Sequence, residues 1–302
     1  MSTHQTAVTQ YVDIDNQGTR LAYRRVGRGE GVPLVMMVHF RGNMDFWDPV
    51  FIDKLAAARP VIIFDHAGTG KSTGKIPASY AGWADHVIAL IHALKLPQVD
   101  ALGFSMGGCV AQMLALNAPR GLIRRVIFAG TVPSQGPDSV PVTDWHPFEL
   151  LKTGDSPEET FRGWAYSFFP DTDKGRFDAA ASWSRIHLRQ QDRTPYLPAA
   201  IAEQQTAAFV DEWAIENEKN SYHRFGELQI PVLIANGDDD RLCPTPNSWV
   251  MLQKIRDARL FIYPRAGHGF LYQHADEFAR HVNGFLDAEP EREDYPPTPS
   301  LG

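Results

Sequence analysis

The first forty residues read as strands. "QYVDID" (10–15) and "RLAYRRVG" (20–27) alternate around the turn Asn16-Gln17-Gly18, and "PLVMMVHF" (33–40) is an apolar run after the glycine-rich "GRGEG". Beyond it the period switches back and forth. "PVFIDKLAAA" reads as a helix, "PVIIFD" as a strand, and Trp83, His86, Val87, Leu90, Ile91 and Leu94 recur at helical spacing. "VDALGF", "MGGCVAQMLALNA" and "RRVIFAG" continue as strand, helix and strand. Strands alternating with helices predict an α/β fold whose mostly parallel sheet is covered on both faces.

The alternation stops near Thr131 and resumes at "IPVLIANG" (230–237). A helix near 246–257, the strand "LFIYP" and a last helix from about Ala275 to Ala288 follow. The intervening stretch carries Trp145, Phe148, Trp164, Tyr166, Phe168, Phe169, Trp183, Tyr196, Phe209 and Trp213 but no strand pattern. The expected organisation is a discontinuous core (1–130 and 228–290), a helical cap (131–227) and a disordered tail (291–302). The cap aromatics divide between its own core and a pocket, and spacing does not sort them.

Composition narrows the classes. With 43% hydrophobic and 22% charged residues, the 302-residue chain is an ordinary globular one. A net charge of −7 without a basic cluster argues against nucleic acid as a partner. No apolar run of membrane-spanning length and only two cysteines, Cys109 and Cys243, lead to the expectation of a cytoplasmic protein without a disulfide framework.

Three motifs carry chemistry. Gly103-Phe104-Ser105-Met106-Gly107 is Gly-x-Ser-x-Gly between a strand and a helix, a turn that holds a serine hydroxyl clear of the backbone at a helix N-terminus. Such a serine needs a base oriented by a carboxylate. "IPVLIANGDDDRLCP" places acids just past a strand, and "YPRAGHGF" places His268 in a glycine-flanked loop past the last strand.

In the order of its elements, its Gly-x-Ser-x-Gly turn, its "GDDD" and its "GHG", the sequence resembles the α/β-hydrolase fold superfamily, serine-nucleophile branch. The resemblance implies Ser105 as nucleophile, His268 as base and Asp240 as the acid, with Asp238 and Asp239 as turn-forming neighbours. It also implies an oxyanion hole from the N–H of Met106 and a second N–H in "HFRG" (39–42), where the family usually reads His-Gly-x. Phe40 is the expected second donor and Arg41 the fallback, with the Arg41 side chain either adding charge near the pocket or facing solvent. No metal or organic cofactor is required.

"GFSMGG" (103–108) is similar to cofactor-free haloperoxidases, which use the same triad for esters and peracids. Carbon–carbon bond hydrolases share the Ser-Met-Gly-Gly elbow but have a more glycine-rich oxyanion loop. The expected activity is therefore hydrolysis of an ester or lactone of a small hydrophobic substrate. Alternatives are perhydrolysis at the same triad, a hydroxynitrile lyase, or a small-molecule receptor that retains a triad.

"AGTGKS" (67–72) ends like a phosphate-binding P-loop, but the first glycine of that pattern falls on Asp65, whose carboxylate would repel phosphate. "DHAGTGKS" instead resembles the family's Asp-x-x-Gly-x-Gly-x-Ser turn, with Lys71 expected in solvent.

Overall fold

The computed structural model describes residues 2–27 and 29–289; the expected tail at 291–302 lies outside the described residues. Strands β1 (Gln10–Asp13), β2 (Arg20–Val26), β3 (Leu34–Met37), β4 (Val61–Phe64), β5 (Val99–Phe104), β6 (Ile123–Ala129), β7 (Val232–Gly237) and β8 (Ala258–Tyr263) form one sheet, ordered β1-β2-β4-β3-β5-β6-β7-β8. β1 and β2 pair antiparallel with each other, and β2 runs antiparallel to β4. From β4 to β8 all neighbours are parallel. The central strands β3, β4 and β5 are buried throughout, as a sheet covered on both faces requires; β3 and β4 are wholly apolar, and the one carboxylate of β5, Asp100, is paired with Arg124.

Several helices start where a side chain satisfies a free amide. Asp48 caps α1 (Pro49–Ala56) and Ser79 caps α2 (Tyr80–Ala93), whose Trp83, Val87, Leu90 and Ile91 are buried. α3 (Met106–Asn117) follows β5 directly. Between β6 and β7 the chain runs through α4 (His146–Thr153), α5 (Pro157–Phe168), α6 (Asp173–Ile186), α7 (Ala199–Ala208), a π-turn (Phe209–Trp213) and α8 (Ser221–Arg224). α5 opens with a capping box between Ser156 and Glu159. α9 (Pro246–Lys254), α10 (Phe270–Gln273) and α11 (Ala275–Asp287) complete the chain, and Phe51 of α1 stacks on Phe278 of α11. Trp164, Phe168, Phe169 and Trp213 of the α4–α8 segment are buried in the same hydrophobic cluster as the strands.

The 65–72 turn wraps a carboxylate. Asp65 accepts from the N–H groups of Met44 and Lys71, each at 2.8 Å, and Gly70 (φ +56°) passes so close that a Cβ there would strike that carboxylate. Burial pushes the Asp65 pKa up to about 6. Lys71 keeps part of its expected solvent contact, and its Nζ also pairs with Asp192 of the α4–α8 segment at 2.8 Å.

Candidate active site

In a parallel sheet the carboxyl ends of the strands share one edge, and the loops leaving that edge can converge. Here the loops after β3, β5, β7 and β8 carry Phe40, Ser105, Asp240 and His268 respectively. Ser105 has φ 58° and ψ −123°, a region other residues avoid, and its N–H donates to the carbonyl of Ala129 at 2.9 Å. The glycines explain how so tight a turn fits. A Cβ on Gly103 would run into the backbone of Gly107, and one on Gly107 into the carbonyl oxygen of Met37. α3 thus begins pressed against the end of β3, with Met106 as its first residue.

Asp240 and His268 are brought together. The His268 Nδ1–H donates to Asp240 Oδ2 at 2.8 Å, while Oδ1 accepts from the N–H groups of Leu242 (2.9 Å) and Cys243 (2.8 Å). The ring's other nitrogen, Nε2, is buried and has no hydrogen-bond partner among the described residues. Asp238 and Asp239 are exposed and tie the two loops: Asp238 accepts from the N–H of Ala266, and the N–H of Asp239 donates to its carbonyl, both at 3.0 Å. The glycines of "GHG" meet α5. Gly269 N–H donates to the carbonyl of Phe168 at 2.6 Å, and a Cβ on Gly267 would approach that same oxygen to 2.7 Å.

Asp240, Cys243 and His268 also bring an oxygen, a sulfur and a ring nitrogen within 4.8 Å of one another. A metal would need the Cys243 thiolate, and burial, with the Asp240 charge nearby, pushes that thiol well above its ordinary range. Both Asp240 oxygens are also engaged. The donor set fits an acid–base pair with a neutral thiol beside it better than a cation site.

The loop after β3 departs from expectation. Arg41 neither lends charge to the pocket nor faces solvent; it is 1% exposed, with φ +56°. Its guanidinium donates to the carbonyls of Leu197 (2.7 Å), Leu151 (2.7 Å), Lys152 (3.2 Å) and Gly154 (2.9 Å) and to the Asp155 carboxylate (2.9 Å). These groups belong to the end of α4 and the approach to α7, so Arg41 fastens the loop to the α4–α8 segment. Its own N–H donates to Gln205 Oε1 at 2.8 Å. The Phe40 carbonyl accepts from His39 Nδ1 at 2.9 Å and from the Tyr196 hydroxyl at 3.2 Å. Both ends of the Phe40–Arg41 peptide are therefore held. Burial lowers the His39 pKa to about 4, so the ring is neutral.

A cavity of about 680 Å³, its mouth included, opens beside these loops, and Ser105, Met106, His39 and Phe40 line it. The aromatics now sort. Trp145, Phe148, Phe168 and Phe209 face the cavity, Phe168 while also buried in the core, whereas Trp164 and Phe169 belong to the packed interior alone and Trp213, also buried, borders a neighbouring cleft. Gln205, Tyr80, Cys109, Leu242 and Cys243 also line it and were not assigned to a pocket from sequence; the first three sit on helices and the last two in the loop after β7, where nothing in the local pattern marks them.

No helix among the described residues is long and apolar enough to cross a membrane. The model of the alpha/beta hydrolase fold family matches residues 33–275. A poly(3-hydroxyalkanoate) depolymerase of Ectopseudomonas oleovorans is 27% identical over 99% of both chains. A 2-hydroxymuconate semialdehyde hydrolase of Pseudomonas putida is 28% identical over 86% of this chain and 88% of its own. Among solved structures, an alpha/beta hydrolase fold protein from Chitinophaga pinensis superposes with a TM-score of 0.84 at 30% identity, over 95% of this chain and all of its own. The chain belongs to the alpha/beta hydrolase fold family.

Proposed function

We propose that the protein is a serine hydrolase that cleaves a carboxylic ester or lactone of a small hydrophobic substrate through an acyl-enzyme. The observation that carries this reading is the buried His268–Asp240 pair, with the imidazole Nδ1 engaged and Nε2 left without a partner, on the strand edge that also presents Ser105 at a strained turn. In the proposed cycle Ser105 Oγ attacks the carbonyl carbon and its proton passes to His268 Nε2. Asp240 holds Nδ1–H and stabilises the imidazolium. The tetrahedral oxyanion is met by the N–H of Met106, at the positive end of the α3 dipole, and by that of Phe40. The second donor is assigned to Phe40 because the Arg41 N–H is taken by Gln205. His268 then returns its proton to the departing alcohol, takes one from the water that attacks the acyl-enzyme, and passes it to Ser105 Oγ as the acid leaves.

The α4–α8 segment serves as the lid, and its aromatic wall selects apolar substrates. Similarity along the whole chain to the depolymerase makes 3-hydroxyacyl esters the first natural-type substrates to try. The test compares wild type and Ser105→Ala on activated esters of increasing chain length. Loss on the order of 10⁶ in the variant is expected. Wild-type turnover that survives the substitution would remove Ser105 from the mechanism.

A further inference from the structure

Beyond the cavity at Ser105 lies a second cleft of about 580 Å³, its open mouth included, lined by Pro133, Gln135, Val140, Pro141, Trp213 and Ala214, among others. The two spaces share walls: Val132, Val142, Trp145 and Phe209 border both. They are therefore adjoining compartments, divided by the side chains of four apolar residues. Trp145 is itself 43% exposed and stands at the end of a row of rings, packing edge-on against Phe148, which packs on Phe40. The row leads from the loop after β3 to the mouth of the outer cleft.

The outer cleft is held in shape. Asn247 bonds both backbone groups of Val140, accepting from its N–H at 2.9 Å and donating to its carbonyl at 2.8 Å. Ser134 N–H donates to Ser221 Oγ at 3.1 Å, and Ser134 Oγ accepts from the Tyr222 N–H at 2.9 Å. Across the cleft, the π-turn closes with Ala214 N–H on the Phe209 carbonyl at 2.8 Å, and Gln135 N–H reaches the Trp213 carbonyl at 2.8 Å. A π-turn turns Phe209 toward the partition, and such turns recur at functional sites. Among the described residues no charged side chain lines either compartment; Gln135, Ser139 and Asn247 are polar members of the outer wall. A largely apolar, preformed space that adjoins a reaction cavity across apolar side chains suits an uncharged hydrocarbon chain.

We propose that this cleft is a second substrate subsite: a linear aliphatic chain joined to the scissile ester passes Trp145 and Phe209 and lies between Val140 and Ala214. The inference rests on the serine-hydrolase reading for the position of the ester and adds the substrate class, esters of long unbranched chains. Each further methylene buried there strengthens binding about fourfold.

The test places a carboxylate on either wall. Val140→Asp and Ala214→Asp introduce charge at partly exposed positions outside the reaction cavity, and Ile215→Asp puts the same charge on an exposed neighbour outside both compartments. Measured as kcat/KM on nitrophenyl dodecanoate relative to butyrate, the ratio is expected to fall roughly tenfold in the two cleft variants and to stay within about twofold in Ile215→Asp. An unchanged ratio in the cleft variants, or an equal fall in all three, overturns the subsite. A second measurement does not depend on turnover. Calorimetric binding of dodecanoate to Ser105→Ala should weaken by a similar factor when Val140→Asp is added. If wild type hydrolyses no ester but this weakening is seen, the reaction is misassigned and the subsite stands. Dodecanoate binding that Val140→Asp leaves unaltered, or no binding at all, overturns the subsite whatever the enzyme hydrolyses.

Discussion

The two sides of the candidate site are held in different ways. Asp240 and His268 are fixed mainly by backbone: the loops after β7 and β8 bond to each other, and the Asp240 carboxylate is seated on two amides a few residues along its own chain. The loop after β3 is fixed by side chains that reach across the sequence. Gln205 and Tyr196 grip the Phe40–Arg41 peptide from positions more than 150 residues away, and Arg41 reaches back to α4. Local seating makes one side robust and readable. Distant seating makes the other dependent on the helical segment.

The largest expected effect attacks the locally held side. Asp240→Asn keeps the shape but offers an amide where His268 Nδ1–H needs an acceptor, and kcat should drop on the order of 10⁴ with thermal stability little changed. A fall of only a few-fold would mean that another group orients the imidazole. On the distant side, Arg41→Ala strands four carbonyl acceptors of the helical segment. Stability should fall by about 2–4 kcal/mol in urea melts, and kcat by about 10- to 100-fold with a smaller change in KM. Gln205→Leu frees only the Arg41 N–H and should cost about tenfold in kcat while the protein stays folded. If both variants retained wild-type kcat, the donor loop would be held without the helical segment and the contrast would collapse.

The same contrast explains what could be read in advance. Each strand among the described residues overlaps a segment picked out by its pattern, alternating in β1 and β2 and mainly apolar in the others, and the buried stripe of α2 sits on the spacing of Trp83, Val87, Leu90 and Ile91, because period and burial are local properties. Asp240 and His268 were legible since each follows its strand by a few residues in a turn of recognisable composition. Arg41 was not. An arginine in a loop is ordinarily a surface residue, and nothing between positions 39 and 47 announces that acceptors at 151–155 and 197 will surround it. Gln205 gave no signal either, being one of four consecutive polar residues, Glu203 to Thr206, on a helix otherwise mostly of alanine. Side chains that act across the fold leave no periodicity.

A smaller effect tests burial away from the site. His4, His39 and His66 have pKa values lowered to about 4, 4 and 3, chiefly by desolvation. The unfolded chain therefore binds more protons than the native one below pH about 6.5, and stability is lost as pH falls from there toward 4. Asp65, raised to about 6, works the other way, its folded state holding a proton that the unfolded chain gives up as pH rises from about 4 to 6. Three histidines against one aspartate set a net decline on acidification. His66 packs between Phe64 and Trp83, so His66→Phe keeps the packing and removes one titration. The loss between pH 7 and 5 should shrink by about 1–2 kcal/mol in urea melts; an unchanged slope would mean that His66 is protonated without opening the core.

The smallest effect concerns Lys71, the residue that makes "AGTGKS" look like a phosphate loop. Its ammonium pairs with Asp192 where both side chains keep solvent contact, 23% and 42% exposed, and Asp192 also accepts from Thr9 Oγ1 at 2.5 Å. A pair so open contributes about 0–1 kcal/mol, so Lys71→Ala should leave hydrolase activity within about twofold and lower the melting temperature by no more than a few degrees. Adding ATP with magnesium should shift the melting temperature of neither form, because the turn already closes on the Asp65 carboxylate and its lysine faces a second one. A nucleotide-dependent stabilisation of wild type that Lys71→Ala abolishes would overturn that account and make the turn a phosphate site after all. Loss of the lysine tests a link between the 65–72 turn and the helical segment, and the small expected cost separates it from Arg41: both are cations that reach that segment, but only the buried one has carbonyls that no water can satisfy in its place.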